Sequence, residues 1–204
     1  MGTTQVELVL ATQCLVQANM KTMEVRVNGP LPNGVTAKDL ILGIIGQIGV
    51  SGAGGHAIEY TGEAVRSLSM EGRMTVCNMS IEGGARCGYV NPDSTTVEYL
   101  RGRRYTPDDG DFEGNAAAWL ALASDPGAVY DDVVEINGSE IEPSITWGIN
   151  PGHNIGVSES IPTPNEASDD ERAGVEEALE YMDFVAGASI AGTPIDVAFI
   201  GSCT

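Results

Sequence analysis

Lysine is almost missing from this chain, and that shortage is the first of several that narrow its function. Its 204 residues hold 10 Lys and Arg against 29 Asp and Glu, with Lys21 and Lys38 the only lysines, for a formal net charge of −19 and a pI near 4.1. A surface this acidic repels phosphate backbones and anionic headgroups, so neither nucleic acid nor membrane is favoured as a partner. Self-repulsion of this size is easiest to tolerate when salt screens it. That fits a salt-adapted source, and an ordinary acidic protein stands as the alternative.

Aromatic residues make up only 5% of the chain while glycine reaches 26 residues, a balance of tight turns rather than of an aromatic-rich binding module. Four cysteines, Cys14, Cys77, Cys87 and Cys203, form no CxxC pair and no dense framework. A chain of this length, 42% hydrophobic, needs no disulfide staples, so a reduced, cytoplasmic setting is expected. Cys14, Cys77 and Cys87 are expected to be small buried residues. There is no apolar run near the roughly 20 residues of a membrane helix. The stretch Met1–Glu7 lacks the basic-then-apolar order of an export signal. The glycines Gly49, Gly52, Gly54 and Gly55 lack both a Gly-Lys-Ser/Thr ending and a G-x-G-x-x-G pattern, so they read as backbone packing rather than a phosphate cradle.

What is present alternates strand and helix signals. Apolar spacing predicts a helix over Thr4–Ala18 with one broad buried face. Thr22–Asn28 alternates as a strand does, Thr36 is placed to cap a helix over Ala37–Ile48, and His56–Tyr60 reads as a second strand. Further helices are expected at Glu63–Leu68, Met74–Arg86, Thr95–Gly102, Glu113–Ala123 and Asp169–Asp183, with Glu71-Gly72 separating the first two. Strands are expected at Val133–Ile136 and Ile195–Ile200, and Pro143–Pro164 reads as a long connection. This order predicts crossover units and an α/β layer. On residue type alone His56 reads as a strand or loop residue and His153 as a solvated one. The acidic run Glu166–Glu180 reads as a solvated helix face.

The words VLATQ (Val9–Gln13), PxGVTAKDLIL (Pro32–Leu42), SMEGRMTVCNMSIEGGAR (Ser69–Arg86), PDSTTVEYLRGR (Pro92–Arg103), TWGxNPG (Thr146–Gly152) and FIGSCT (Phe199–Thr204) run along the chain in one order. In wording, order and spacing they resemble the large subunits of bacterial-type isopropylmalate isomerases, which are aconitase-type hydro-lyases. The resemblance implies an α/β fold, an aconitase-type three-layer α/β domain plus the beginning of a second α/β domain. Residues 1–20 would close a preceding domain, 21–142 would form the α/β domain, 143–194 a linker and helix, and 195–204 the first strand and cysteine loop of the next.

The resemblance also implies a 4Fe–4S cluster as cofactor. Cys203 matches the family's G-S-C-T cysteine, a cluster ligand at a strand end, while two further ligands belong to a C-x-x-C absent from this sequence. Three thiolates would leave one iron free as a Lewis acid. Asn78 and Glu82 match the N-M-x-x-E pattern, with Asn78 hydrogen-bonding near the open iron and Glu82 orienting water or hydroxyl there. Spaced four apart, they are expected on one helix face. Ala53 and Gly54 stand where the family usually has Gly and Thr, which removes any polar role of that threonine.

The family's upstream G-D-S-H-T motif is also absent, so the chain is expected to be a segment, or one piece of an enzyme divided among chains. The implied activity is interconversion of 2- and 3-isopropylmalate in leucine biosynthesis, with a separate small subunit as partner. Homoaconitase or another aconitase-type hydratase, and a non-catalytic interaction fragment, are the competing readings.

Overall fold

A computed structural model describes residues 3–107, 111–169 and 171–201. Its centre is a four-stranded sheet in the order β3-β2-β1-β4, built from β1 (Lys21–Asn28), β2 (His56–Thr61), β3 (Cys87–Tyr89) and β4 (Asp132–Asn137). All three pairings are parallel, with Met23 beside Ile58 and Val25 beside both Tyr60 and Val134. Parallel neighbours need crossovers. These are α2 (Ala37–Ile48) between β1 and β2, α3 (Glu63–Ser67) with α4 (Met70–Asn78) between β2 and β3, and α5 (Ser94–Leu100) with α6 (Phe112–Leu120) between β3 and β4. The expected α/β architecture is what the chain adopts.

The period of two along each strand sorts the sheet into unlike faces. Met23, Val25, Val27, Ile58, Tyr60 and Ile136 point into a core shared with Leu40, Ile41, Ile44 and Ile45 of α2, Ala64 and Val65 of α3, and Val76 of α4. Each such aliphatic side chain contributes about 1.5–3 kcal/mol when buried. The other face carries Glu24, Arg26, Glu59 and Thr61. Glu24 accepts from Thr61 Oγ1 at 2.6 Å and from the Arg26 guanidinium. Glu59 accepts from Asn91, Ser124 and Tyr130. Both carboxylates are buried, and these donors offset the cost of taking them from water.

The helix over Ala37–Ile48 forms where its spacing and cap place it. Thr36 Oγ1 accepts from the Asp39 amide while Asp39 Oδ2 accepts from the Thr36 amide at 2.7 Å, satisfying two orphan donors at once. Gly49, at φ +80°, ends it. Other elements depart from expectation. The first helix, α1 (Thr3–Thr12), stops six residues early because Gln13 turns into the left-handed region at φ 54°. Its Leu8 and Leu10 are exposed rather than forming a buried face.

The helix expected at Met74–Arg86 instead begins at Met70, where the Ser69 hydroxyl accepts from the Gly72 amide. Gly72 lies inside it because a Cβ there would press on Leu68 and Ala37 at 3.3 and 3.4 Å. From Met79 the chain tightens into a 3₁₀ turn, Met79–Gly83, closed by Gly84 at φ +88°.

The connection at 143–164 carries an antiparallel hairpin, β5 (Ser144–Thr146) with β6 (Asn154–Gly156). With α7 (Arg172–Met182) it encloses a second small core of Trp147, Ile155, Ile161, Val175, Ala178 and Ile190. Glu176, Glu177 and Glu180 of α7 are exposed, the solvated acidic face anticipated. The expected strand Ile195–Ile200 does not form: Ile195, Val197, Phe199 and Ile200 are 78–97% exposed and unpaired. A strand is held by ladder partners, and no strand among the described residues pairs with this segment.

Candidate active site

Asn78 is the last residue of α4 and Glu82 lies in the following 3₁₀ turn, so the two do not share one α-helical face. The reason is the glycine pair Gly83-Gly84, which ends the helix early: Gly84 donates to Ile81 O at 2.9 Å and Ala85 to Ser80 O at 3.1 Å. Asn78 is exposed and Glu82 half-buried. Within that turn Met79, Ser80 and Gly83 are buried. Glu82 Oε2 is buried with no hydrogen-bond partner, a costly condition for a carboxylate oxygen. Cys203 lies outside the described residues.

The glycine loop after α2 serves as backbone packing against this turn. A Cβ on Gly52 would fall 1.9 Å from Ile48 O, and one on Gly84 3.2 Å from Ser51 Cα and Val50 O. The Ala53 amide donates to Gly83 O at 2.9 Å, so loop and turn are one unit. His56, at the loop's exit, is buried. Its Nε2 meets Asp132 Oδ2 at 2.8 Å and its Nδ1 meets Gly54 O at 3.0 Å. With both ring nitrogens engaged, it joins the loop to β4 as a strand residue.

On its far side the same loop meets the TWGxNPG word. A Cβ on Gly152 would lie 2.9 Å from Val50 Cγ1. His153 is not solvated as expected: it stacks on Trp147 with centroids 4.7 Å apart and planes 19° from parallel. Its Nδ1 accepts from the Ile149 amide at 3.2 Å. Burial pushes its pKa below the usual imidazole value, against an opposing pull from Glu171. Trp147, His153, Asn154 and Glu171 line an open cleft of about 790 Å³ against Ile45 and Val50 of the α2 end. Asn154 Oδ1 is buried there without a partner.

The cysteine expectation is corrected. Cys14 and Cys87 are exposed and Cys77 is half-buried. Burial, then the neighbouring Cys87, raises the Cys77 thiol to about 11, leaving it a poor nucleophile at neutral pH. Cys87 is exposed because its register partner Ala57 belongs to the polar sheet face. Among the described residues no group of three or more His, Cys, Asp and Glu is arranged to hold a metal ion, and no helix is long and apolar enough to cross a membrane.

Residue reasoning missed Arg73. It is 3% exposed and clamps the Asp93 carboxylate at 2.8 and 2.7 Å while donating to Arg66 O at 2.9 Å. Asp93 also caps α5, and the Arg73 guanidinium beside it holds its carboxyl below the usual range. The signal was available: Arg73 sits three residues before the buried Val76, on the inner face of α4.

Across residues 1–204 the chain matches the family model for aconitase (aconitate hydratase). The chain belongs to the aconitase family. Within that family it is 55% identical over 203 residues to the 3-isopropylmalate dehydratase large subunit of a Synechococcus species, covering 100% of this chain and 44% of that protein. For the proteins of the same name from Akkermansia muciniphila and Opitutus terrae the identities are 54% and 56% over 204 residues, with 43% of each covered and again the whole of this chain. The chain thus spans less than half the length of these curated relatives.

Proposed function

We propose that this chain is part of a 3-isopropylmalate dehydratase, a hydro-lyase that interconverts 2- and 3-isopropylmalate in leucine biosynthesis by removing and re-adding water. Whole-chain identity of 51–56% to large subunits of that name supports the reaction and its substrate. It also supports a small subunit as partner and a cytoplasmic setting. The observation that carries the site is Glu82, whose buried, unpartnered Oε2 is poised to meet a hydroxyl or water at the end of a turn begun by Asn78.

The 4Fe–4S cluster implied by the family fits this site in one respect: an orphaned buried carboxylate oxygen is what an arriving polar group would satisfy. Cys203 is the residue of this chain that would hold it. When bound, the cluster supplies Lewis acidity toward the substrate's oxygens. The chain's own part is positional and protonic. Glu82 Oε2 accepts a hydrogen bond from a hydroxyl or water brought against it. Carrying a proton, it gives that proton to the hydroxyl as the C–O bond breaks and water leaves, and takes it back from the water that re-adds, while the proton of the adjacent carbon passes to a separate base of the complete enzyme. The Asn78 amide donates toward an oxygen beside it. The turn's buried residues keep bulk water from one side of the pair.

Restoring the complete large subunit with its small subunit tests this. It should turn over 2-isopropylmalate in preference to homocitrate, and Cys203→Ser should lower both its iron content and its activity. Wild-type turnover with a full cluster in the Cys203→Ser enzyme excludes Cys203 as a ligand, and preference for homocitrate makes the enzyme a homoaconitase.

A further inference from the structure

We infer that a buried Tyr60–Ser80 hydroxyl pair, closed over by Gly88, is the device that positions Asn78 and Glu82, making Tyr60 and Ser80 positioning residues for the proposed dehydration; the inference rests on that reading of the site.

Ser80 stands midway between the two site residues, two positions from each, and is 1% exposed. Its hydroxyl donates its single proton to Val76 O at 3.2 Å, one turn back in α4. It must therefore accept in its 2.8 Å contact with Tyr60 Oη, so Tyr60 is the donor. Tyr60, on β2, is 2% exposed. Burial chiefly, and the charge of Cys77 and Glu82 in addition, raises its pKa, so the phenol keeps its proton through the neutral range.

The third member is Gly88. A Cβ there would fall 2.1 Å from Ser80 Oγ, 2.9 Å from Cys77 Cα and 3.0 Å from Tyr60 Cε2. Only a residue without a side chain lets β3 close on the hydroxyl pair. The result is a buried polar post running from Tyr60 on β2, through the Ser80 hydroxyl of the turn, to the Val76 carbonyl in the last turn of α4. Loss of either hydroxyl unties the turn from β2 and leaves it held by its backbone bonds, the Gly84 closure among them. That would let Glu82 shift relative to Asn78 without touching either side chain. Displacements on the ångström scale at a reacting group are enough to lower turnover strongly.

Two measurements test the device. In the 204-residue chain, Tyr60→Phe and Ser80→Ala should each speed amide exchange at Ile81 to Ala85 by about fivefold, the value of one net hydrogen bond. Exchange in α2 should stay unchanged. In the restored two-subunit enzyme both variants should lower kcat by about tenfold with KM within about twofold. Ile136→Val, a core change of similar cost in β4, should leave kcat unaltered. Wild-type kcat in both hydroxyl variants, or an equal loss in Ile136→Val, overturns the inference. A Glu82→Gln arm separates the two levels of the account. If Glu82→Gln is inactive while Tyr60→Phe is normal, only the positioning role fails; if Glu82→Gln is itself normal, the site reading fails.

Discussion

The parallel-sheet body and the segment after it are built from equally apolar sequence and end very differently. In the first, from β1 to β4, strands and helices bury one another inside a single chain, and the core residues Val25, Val27, Leu40 and Ile44 reach 0% exposure. In the second, a short hairpin and α7 enclose six buried residues, and the chain then leaves Ile195, Val197, Phe199 and Ile200 open to solvent. The difference is the presence of partners. Apolar periodicity reports what a segment can bury, and burial follows only where a complementary face exists. The candidate active site lies at the joint, since one glycine loop touches both the Glu82 turn and the NPGH turn.

Matched glycine substitutions should break the comparison most visibly. Gly62 and Gly192 both have φ above +90°. A Cβ on Gly62 would meet Val27 O at 2.1 Å, whereas nothing lies within 4 Å of one on Gly192. Gly62→Ala should cost upwards of about 3 kcal/mol in urea unfolding and Gly192→Ala about 1 kcal/mol. Equal losses would mean that the sheet body is no more tightly built than its successor. A smaller contrast comes from aliphatic truncation. Ile44→Ala should lower stability by about 2–5 kcal/mol, while Ile200→Ser should stay within about 0.5 kcal/mol. A large loss at Ile200 would reveal a partner for the segment.

The smallest expected effect concerns the second core. Because burial lowers the His153 pKa below the ordinary 6.5, the unfolded chain takes up that proton first. The stability contributed by the neutral ring is thus complete above about pH 6.5 and declines as pH falls through the window below it. His153→Gln should flatten that slope in urea titrations at successive pH values. The sheet's hydrogen exchange should not respond. An unchanged slope would mean that the ring is as well solvated in the folded chain as in the unfolded one.

How far the sequence was legible follows the same division. α2 could be read to the residue because its cap, apolar stripe and terminal glycine agree. The start of α4 was misplaced because Gly72 looks like a breaker, when it is a contact with Leu68 and Ala37. The identities of Asn78 and Glu82 were legible only through family resemblance. Their shared helix face was not, because it depends on Gly83-Gly84 tightening the turn and on a buried hydroxyl from β2. The polar sheet face escaped notice because the donors to Glu59 come from Asn91, Ser124 and Tyr130, far along the chain.

The account stands most directly on Glu82. In the complete large subunit assembled with its small subunit, isopropylmalate turnover by Glu82→Gln should fall by at least about a hundredfold, the ordinary worth of a positioned acid–base group, with iron content and thermal midpoint unchanged. Turnover within about twofold of wild type would contradict the claim that this buried, unpartnered carboxylate oxygen takes part in the chemistry.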